Sequence, residues 1–132
     1  MRLLDTDTCI GLLKGNQAVV GAWRSCVDQC ALSSMTVGEL YYGAFKSTVR
    51  EEELKRVDRF MDIFPEIRPS RRSMRRFGEI KAALEQKGAR LADADIIIAS
   101  TAIEEGLTLV TGNVRHYSRI EGLAVENWFI RQ

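Results

Sequence analysis

Histidine is almost absent from this chain of 132 residues: His116 stands alone. Paired-histidine acid–base catalysis is therefore excluded. Cysteine is scarce too, and Cys9, Cys26 and Cys30 are odd in number and follow no small-scaffold spacing. Neither a zinc site of nitrogen and sulfur ligands nor a disulfide framework is expected, and the thiols read as buried and inert in a reducing, cytoplasmic setting. Long apolar runs are missing as well. Asp5 and Asp7 interrupt the early apolar stretch, so it is no secretory signal, and Ile96 to Ala99 is far too short to cross a bilayer. No excess of one charge exists: 19 basic and 18 acidic side chains leave a net +1. A nucleic-acid partner would have to be met by a local basic patch rather than by a bulk field.

What is present is a globular composition, with 45% hydrophobic and 28% charged residues. A single domain spanning 1–132 buries about two thirds of its unfolded surface, enough for a core without covalent staples. The pattern alternates short apolar strands with helices. Leu3 and Leu4 form a strand that stops at the capping cluster Asp5-Thr6-Asp7-Thr8, and helices follow up to Leu13 and over 17–27. Ala31 to Ser33 is a second strand. It leads into a helix over 36–45, where Val37, Leu40, Tyr41, Ala44 and Phe45 share one face. Thr48 and Glu51 read as a capping box for a helix that Pro65 ends. A helix over 69–87 turns Met74, Phe77, Ile80 and Leu84 inward, and Asp93 caps another that runs to Glu105. Strands at 107–111 and 123–125 complete the list. This is the signature of an α/β fold with a mostly parallel sheet covered by helices.

In such sheets ligands collect beyond the carboxyl ends of the strands. Three acids meet that condition: Asp5 after the first strand, Glu39 in the first turn after the second, and Asp95 in the first turn of the helix that starts at Asp93. Asp95 shares a stripe with Ile98, Ala99 and Ala102 and should point inward. Glu39 lies opposite the apolar stripe of its own helix and is free to face something other than the core. Carboxylates without a histidine or cysteine partner suit a hard cation, magnesium or manganese, which activates water and neutralises phosphoryl charge. Structural roles compete at each position. Asp5 and Asp7 can cap the first helix, Thr36 and Glu39 match a T-x-x-E capping box, and Asp93 and Asp95 can serve a helix N-terminus. Separately, Arg68, Arg71, Arg72, Arg75 and Arg76 form a run with no acid until Glu79. It reads equally as a phosphate contact, a solvated face or a dock for an acidic segment. His116 reads as a surface or phosphate-contact residue.

The segments Leu3-Leu4-Asp5-Thr6-Asp7-Thr8, Thr36-Val37-Gly38-Glu39, Asp95-Ile96-Ile97-Ile98-Ala99-Ser100, Gly106 to Asn113 and Gly122 to Trp128 together resemble the PIN-domain ribonucleases. More narrowly, they resemble the VapC-type toxins of bacterial toxin–antitoxin pairs. The resemblance spans nearly the whole chain in the family's order and implies a PIN-like three-layer α/β/α domain. It also implies a magnesium-dependent endoribonuclease, with transfer RNA the commonest target, in which Asp5, Glu39 and Asp95 are the metal ligands. Thr6, Thr111, Asp93 and Asn113 would support them, and Asn113 stands where many members carry a fourth acid. The resemblance further implies a homodimer silenced by a VapB-like antitoxin; the charge run itself offers Arg71, Arg72, Arg75 and Arg76, with His116, for contact with RNA or antitoxin. Two other readings remain. Asp5-Thr6-Asp7-Thr8 is similar to the nucleophile motif of haloacid-dehalogenase-type phosphatases, with Asp5 as nucleophile, although no Lys follows Lys87 and no Asp follows Asp95. A PIN-like module that binds RNA or protein without catalysis is the other.

Overall fold

The computed structural model describes residues 1–130. Five strands form one parallel sheet: β1 (Arg2–Leu4), β2 (Cys30–Ser33), β3 (Glu66–Ile67), β4 (Thr108–Val110) and β5 (Val125–Glu126), in the spatial order β3-β2-β1-β4-β5. The register sets Leu3 beside Ala31 and Leu109, and Leu4 beside Leu32 and Val110. Because side chains alternate across a strand, the first row faces one side of the sheet and the second row the other. All six are at most 1% exposed, so both faces are covered.

The Leu4 row packs with α1 (Thr6–Leu13), α2 (Gln17–Arg24), α3 (Ser34–Phe45) and α4 (Arg50–Met61), through Val19, Leu40, Ala44, Val57 and Phe60. The Leu3 row packs with α6 (Asp93–Glu104) through Ile98, Ala99 and Ala102, and Tyr117 of the short α7 (Val114–Tyr117) joins it. α5 (Arg71–Gln86) covers the outer side of α6, which explains why α6 is apolar almost all round. The expected three-layer α/β/α architecture is therefore present, with every strand pair parallel.

Several local expectations are corrected. α3 begins at Ser34, two residues early, because the Ser33 hydroxyl accepts from the Thr36 amide at 3.2 Å. Thr36 is thus inside the helix, its capping box with Glu39 does not form, and Glu39 sits in the second turn. The Thr48–Glu51 box is also absent: Val49 precedes α4 without a side-chain cap, and Ser47 Oγ takes the Val49 amide at 3.1 Å. Asp93 is the first residue of α6 and caps nothing; Ala92 precedes it. Met74 is 41% exposed, while Ser73 is buried. The inward stripe of α5 is Ser73, Phe77, Ile80 and Leu84, at i, i+4, i+7 and i+11, and Met74 lies about 100° off it. The second helix ends at Arg24, and β5 starts two residues later than expected. β3 and α7 went unread because two-residue strands and single-turn helices have no period to detect. The thiols divide: Cys9 and Cys30 are buried, Cys26 only partly.

One close packing contact ties the sheet ends together. A Cβ placed on Gly112 would meet the Phe129 ring at 2.8 Å, and one on Gly11 would meet it at 3.1 Å. The ring is wedged between the first turns after β4 and the body of α1. Gly112→Ala should therefore displace Phe129 and destabilise the domain by about 1–3 kcal/mol, read as a lowered Tm in thermal unfolding. An unchanged Tm would mean that the ring moves freely.

Candidate active site

The order of the strands changes direction beside β1, since the chain builds β2 and β3 on one side and then returns to add β4 and β5 on the other. Such a reversal leaves a crevice beyond the strand ends. There a cavity of about 110 Å³ is lined by Asp5, Thr6, Asp7, Glu39, Asp95, Asn113, His116 and Tyr117. The three sequence-selected acids, from positions far apart in the chain, all reach it.

Asp5 is the floor. It is 4% exposed, its amide donates to the Val110 carbonyl at 3.0 Å, and its Oδ1 caps α1 by accepting from the Thr8 amide at 2.8 Å. The Thr8 hydroxyl donates to the same Val110 carbonyl at 3.1 Å, stapling α1 to β4. Burial raises the Asp5 carboxyl above its ordinary 3.8; donors on Thr111 and Thr8 oppose that shift, and the Asp7 charge adds to it. Among the described residues no basic side chain pairs with Asp5. With Asp5 as the cap, Asp7 is released to the cavity mouth.

Glu39 and Asp95 form the walls, each held by one neighbour. Thr6 Oγ1 donates to Glu39 Oε1 at 2.6 Å, bridging α1 and α3. His116 Nε2 lies 3.2 Å from Asp95 Oδ2, bridging α7 and α6. The expectation that Asp95 is the buried acid is reversed: its side chain is 31% exposed, and Asp5 is the buried one. His116 is not a detached surface residue but part of the wall. Thr111 is fully buried and accepts from the Asn113 amide at 3.0 Å, which turns Asn113 toward the cavity.

Two further residues went unselected from sequence. Thr8 acts as the staple just described. Tyr117 lies buried behind the acids, its phenol pushed well above its ordinary value by burial and by the Asp95 and Asp5 charges. An aromatic four residues after Asn113, on the first turn beyond a strand, was the available signal.

Other selected residues lie elsewhere. Asp93 points outward to Lys81 at 3.0 Å. Arg72 and Arg76 reach Glu104 at 3.4 and 2.8 Å, and Arg76 also meets Glu79 at 2.9 Å. Glu104 is nine residues beyond Asp95 on α6, about 13 Å along the axis. The arginine run therefore sits at the opposite end of the sheet from the acids.

Chemically, the cavity offers carboxylate, amide and hydroxyl oxygens, and the thiols lie outside it. A buried carboxylate without a counter-ion, facing two more across a small cavity, fits a hard divalent cation. The acids are not already gathered at one point: no cluster of three acid, imidazole or thiol ligands is formed among the described residues.

Fold and site define a class: parallel α/β domains with an oxygen-only acidic cavity over the strand ends. Within that class the chain belongs to the PIN-domain family, whose model, described as PIN domain, matches residues 2–123. It is 34% identical over 127 residues to a Haemophilus influenzae protein named Ribonuclease VapC2, covering 96% of each chain. It is 33% identical, with the same coverage, to a Salmonella typhimurium protein named tRNA(fMet)-specific endonuclease VapC. A crystal structure of VapBC2 from Rickettsia felis, bound to a DNA fragment from their promoter, superposes with a TM-score of 0.90 at 32% identity, over 96% of this chain and 98% of that one. The phosphatase reading of the Asp5 motif is thereby not favoured.

The raised Asp5 carboxyl has a thermodynamic consequence. The folded state keeps this proton to higher pH than the unfolded chain does. Its contribution to stability is complete below the unfolded value of 3.8 and is lost as pH rises through the raised folded value. Asparagine keeps the cap and removes the charge. In EDTA at neutral pH, Asp5→Asn should be more stable than wild type by about 1 kcal/mol. That advantage should shrink as the pH falls, in thermal melts across the acid range. A less stable variant at neutral pH would show that the carboxylate is already compensated.

Proposed function

We propose that this chain is a divalent-metal-dependent endoribonuclease, the toxin of a VapBC-type pair, acting on RNA with transfer RNA as the target class. The observation that carries the reading is the convergence of Asp5, Glu39 and Asp95 on one cavity at the strand ends. The names of the relatives support RNA as substrate, that of the Salmonella typhimurium protein supports transfer RNA, and the VapBC complex supports a VapB-like antitoxin as partner.

In this reading Asp5, Glu39 and Asp95 hold magnesium, or manganese. A bound ion would supply Lewis-acid activation of water and neutralise charge on the scissile phosphate. Everything else falls to the chain. Asp5 is fixed by the α1 cap and anchors the site in one orientation. Thr6 orients Glu39, and the His116 imidazole orients Asp95. Asn113, set by Thr111, adds a neutral amide where a fourth acid would add a negative charge, which lessens repulsion of the phosphate. Asp93 supports the site only indirectly, by tying α6 to Lys81 of α5. Arg71, Arg72, Arg75 and Arg76 meet RNA or antitoxin away from the cleaved bond, because a helix length separates them from the acids. In this reading the chain acts in the cytoplasm and, as the family resemblance implies, as a homodimer.

Purified protein freed of any partner should cleave total cellular RNA with magnesium. EDTA should abolish cleavage, and Asp95→Asn or Glu39→Gln should reduce it by about 100-fold or more, read on denaturing gels. Cleavage that persists in EDTA would remove the metal from the mechanism. RNA binding without cleavage under magnesium or manganese would favour the non-catalytic module.

A further inference from the structure

On the side of the sheet away from the α5 arginines, two sulfurs face each other. Cys26 precedes the single 3-10 turn Val27–Gln29, and Cys30 opens β2 directly after it. Their Sγ atoms are 3.9 Å apart. The main chain holds both in place: Cys26 Sγ donates to the Ala22 carbonyl at 3.4 Å, and Cys30 Sγ to the Cys26 carbonyl at 3.3 Å. A disulfide needs about 2.05 Å between sulfurs, so the two Sγ atoms, 3.9 Å apart, must approach by about 2 Å.

The two thiols are unlike. Cys30 is 2% exposed, and burial, with Cys26 beside it, pushes its thiol up to about 12, which disfavours its direct reaction with peroxide and leaves it to react second, giving up its proton as it attacks the oxidised Cys26 sulfur beside it. Cys26 is partly exposed and lines a cleft of about 520 Å³ between α2 and the C-terminal segment, together with Arg2, Gly21, Ser25 and Trp128. Small polar molecules in that cleft have access to one sulfur only. The guanidinium of Arg2 pairs with Glu126 at 2.8 Å in the same cleft, and Arg2 stands in register with Cys30. Cys9 is completely buried in the core and has no such access.

We propose that Cys26 and Cys30 are a modification site: a reversible intramolecular disulfide formed when the chain meets a hydroperoxide. The Cys26 thiolate attacks the peroxide oxygen, the O–O bond breaks, and the leaving hydroxide or alkoxide takes up a proton, giving a sulfenic acid on Cys26. Cys30 Sγ then attacks the Cys26 sulfur. The S–OH bond breaks, the thiol proton leaves with the hydroxyl as water, and the disulfide remains; overall the two thiols are oxidised and the peroxide reduced. The closed loop runs only from Cys26 to Cys30, too short to stabilise the fold much, and such tight bridges are readily reduced by dithiols or glutathione. The bridge locks the start of β2, the strand whose last residue, Ser33, caps the helix that carries Glu39. It does not depend on the nuclease reading.

The test uses wild-type protein treated with hydrogen peroxide, unfolded, alkylated and weighed. The expected result is a protein carrying one alkyl group, on Cys9, and about 2 Da lighter than a singly alkylated chain, for the two thiol hydrogens lost. Asp28 lies between the two cysteines. Cleavage of the chain before Asp28 should therefore leave two fragments joined until dithiothreitol separates them. Cys26→Ser should abolish both signatures. Sulfinic acid on Cys26 with Cys30 still alkylated, an intermolecular Cys26 dimer, or no thiol loss under peroxide that oxidises free glutathione would each overturn the proposal.

Discussion

A single carboxylate, that of Asp5, is the constraint on which the rest of the arrangement turns. One oxygen ends β1 and starts α1 by accepting the Thr8 amide, while the same residue's own amide reaches across to Val110 of β4. Corner, cap and inter-strand bond thus meet in one residue at the centre of the sheet. The charge is buried there against its solvation preference, and burial raises its proton affinity. A fold that needed only a cap would be served by serine or asparagine. Retaining a full negative charge at 4% exposure makes physical sense when a positive charge is to be met in the cavity above it.

The near-neutral composition conceals a polarised molecule. The acids gather beyond the carboxyl ends of the strands, and the α5 arginines lie at the other end, leaning on Glu104. α6 connects the two: its first turn carries Asp95 and its last carries Glu104. Charges separated by this distance interact weakly across solvent at physiological salt. The electrostatics of each end are therefore set locally.

Much of this was legible in the sequence, because it rests on patterns with a period or a fixed spacing. The short apolar strands alternating with helices and the unusually apolar α6 announced a covered parallel sheet, and so did the α3 stripe through Leu40 and Ala44, although its last member, Phe45, is 54% exposed; Asp5, Glu39 and Asp95 stood out by their places after strands. What was not legible depended on competition between neighbours. Ser33 takes the α3 cap from Thr36, which frees Glu39 from a capping duty that its spacing suggested. The stripe of its helix points Asp95 toward the interior, yet it stands in the first turn of α6, 31% exposed and bonded by His116. The Phe129 wedge against Gly112 joins residues distant in sequence and has no local signature at all. The arginine run was visible as a run, but only the antiparallel pairing of α5 with α6 revealed which end of the domain it occupies.

Because β1 is the central strand and β4 is laid beside it only after three helical excursions, the cavity is assembled late. Asp5 is made first, yet its amide has no carbonyl to bond until Val110 has been synthesised and paired. Asn113 and His116 come later still. A partially synthesised chain on the ribosome therefore carries isolated acids and no assembled cavity. Timing is built into the topology: whatever this site does begins only once the chain has been made through Tyr117 and β4 has paired with β1, and a partner has all of that time in which to arrive.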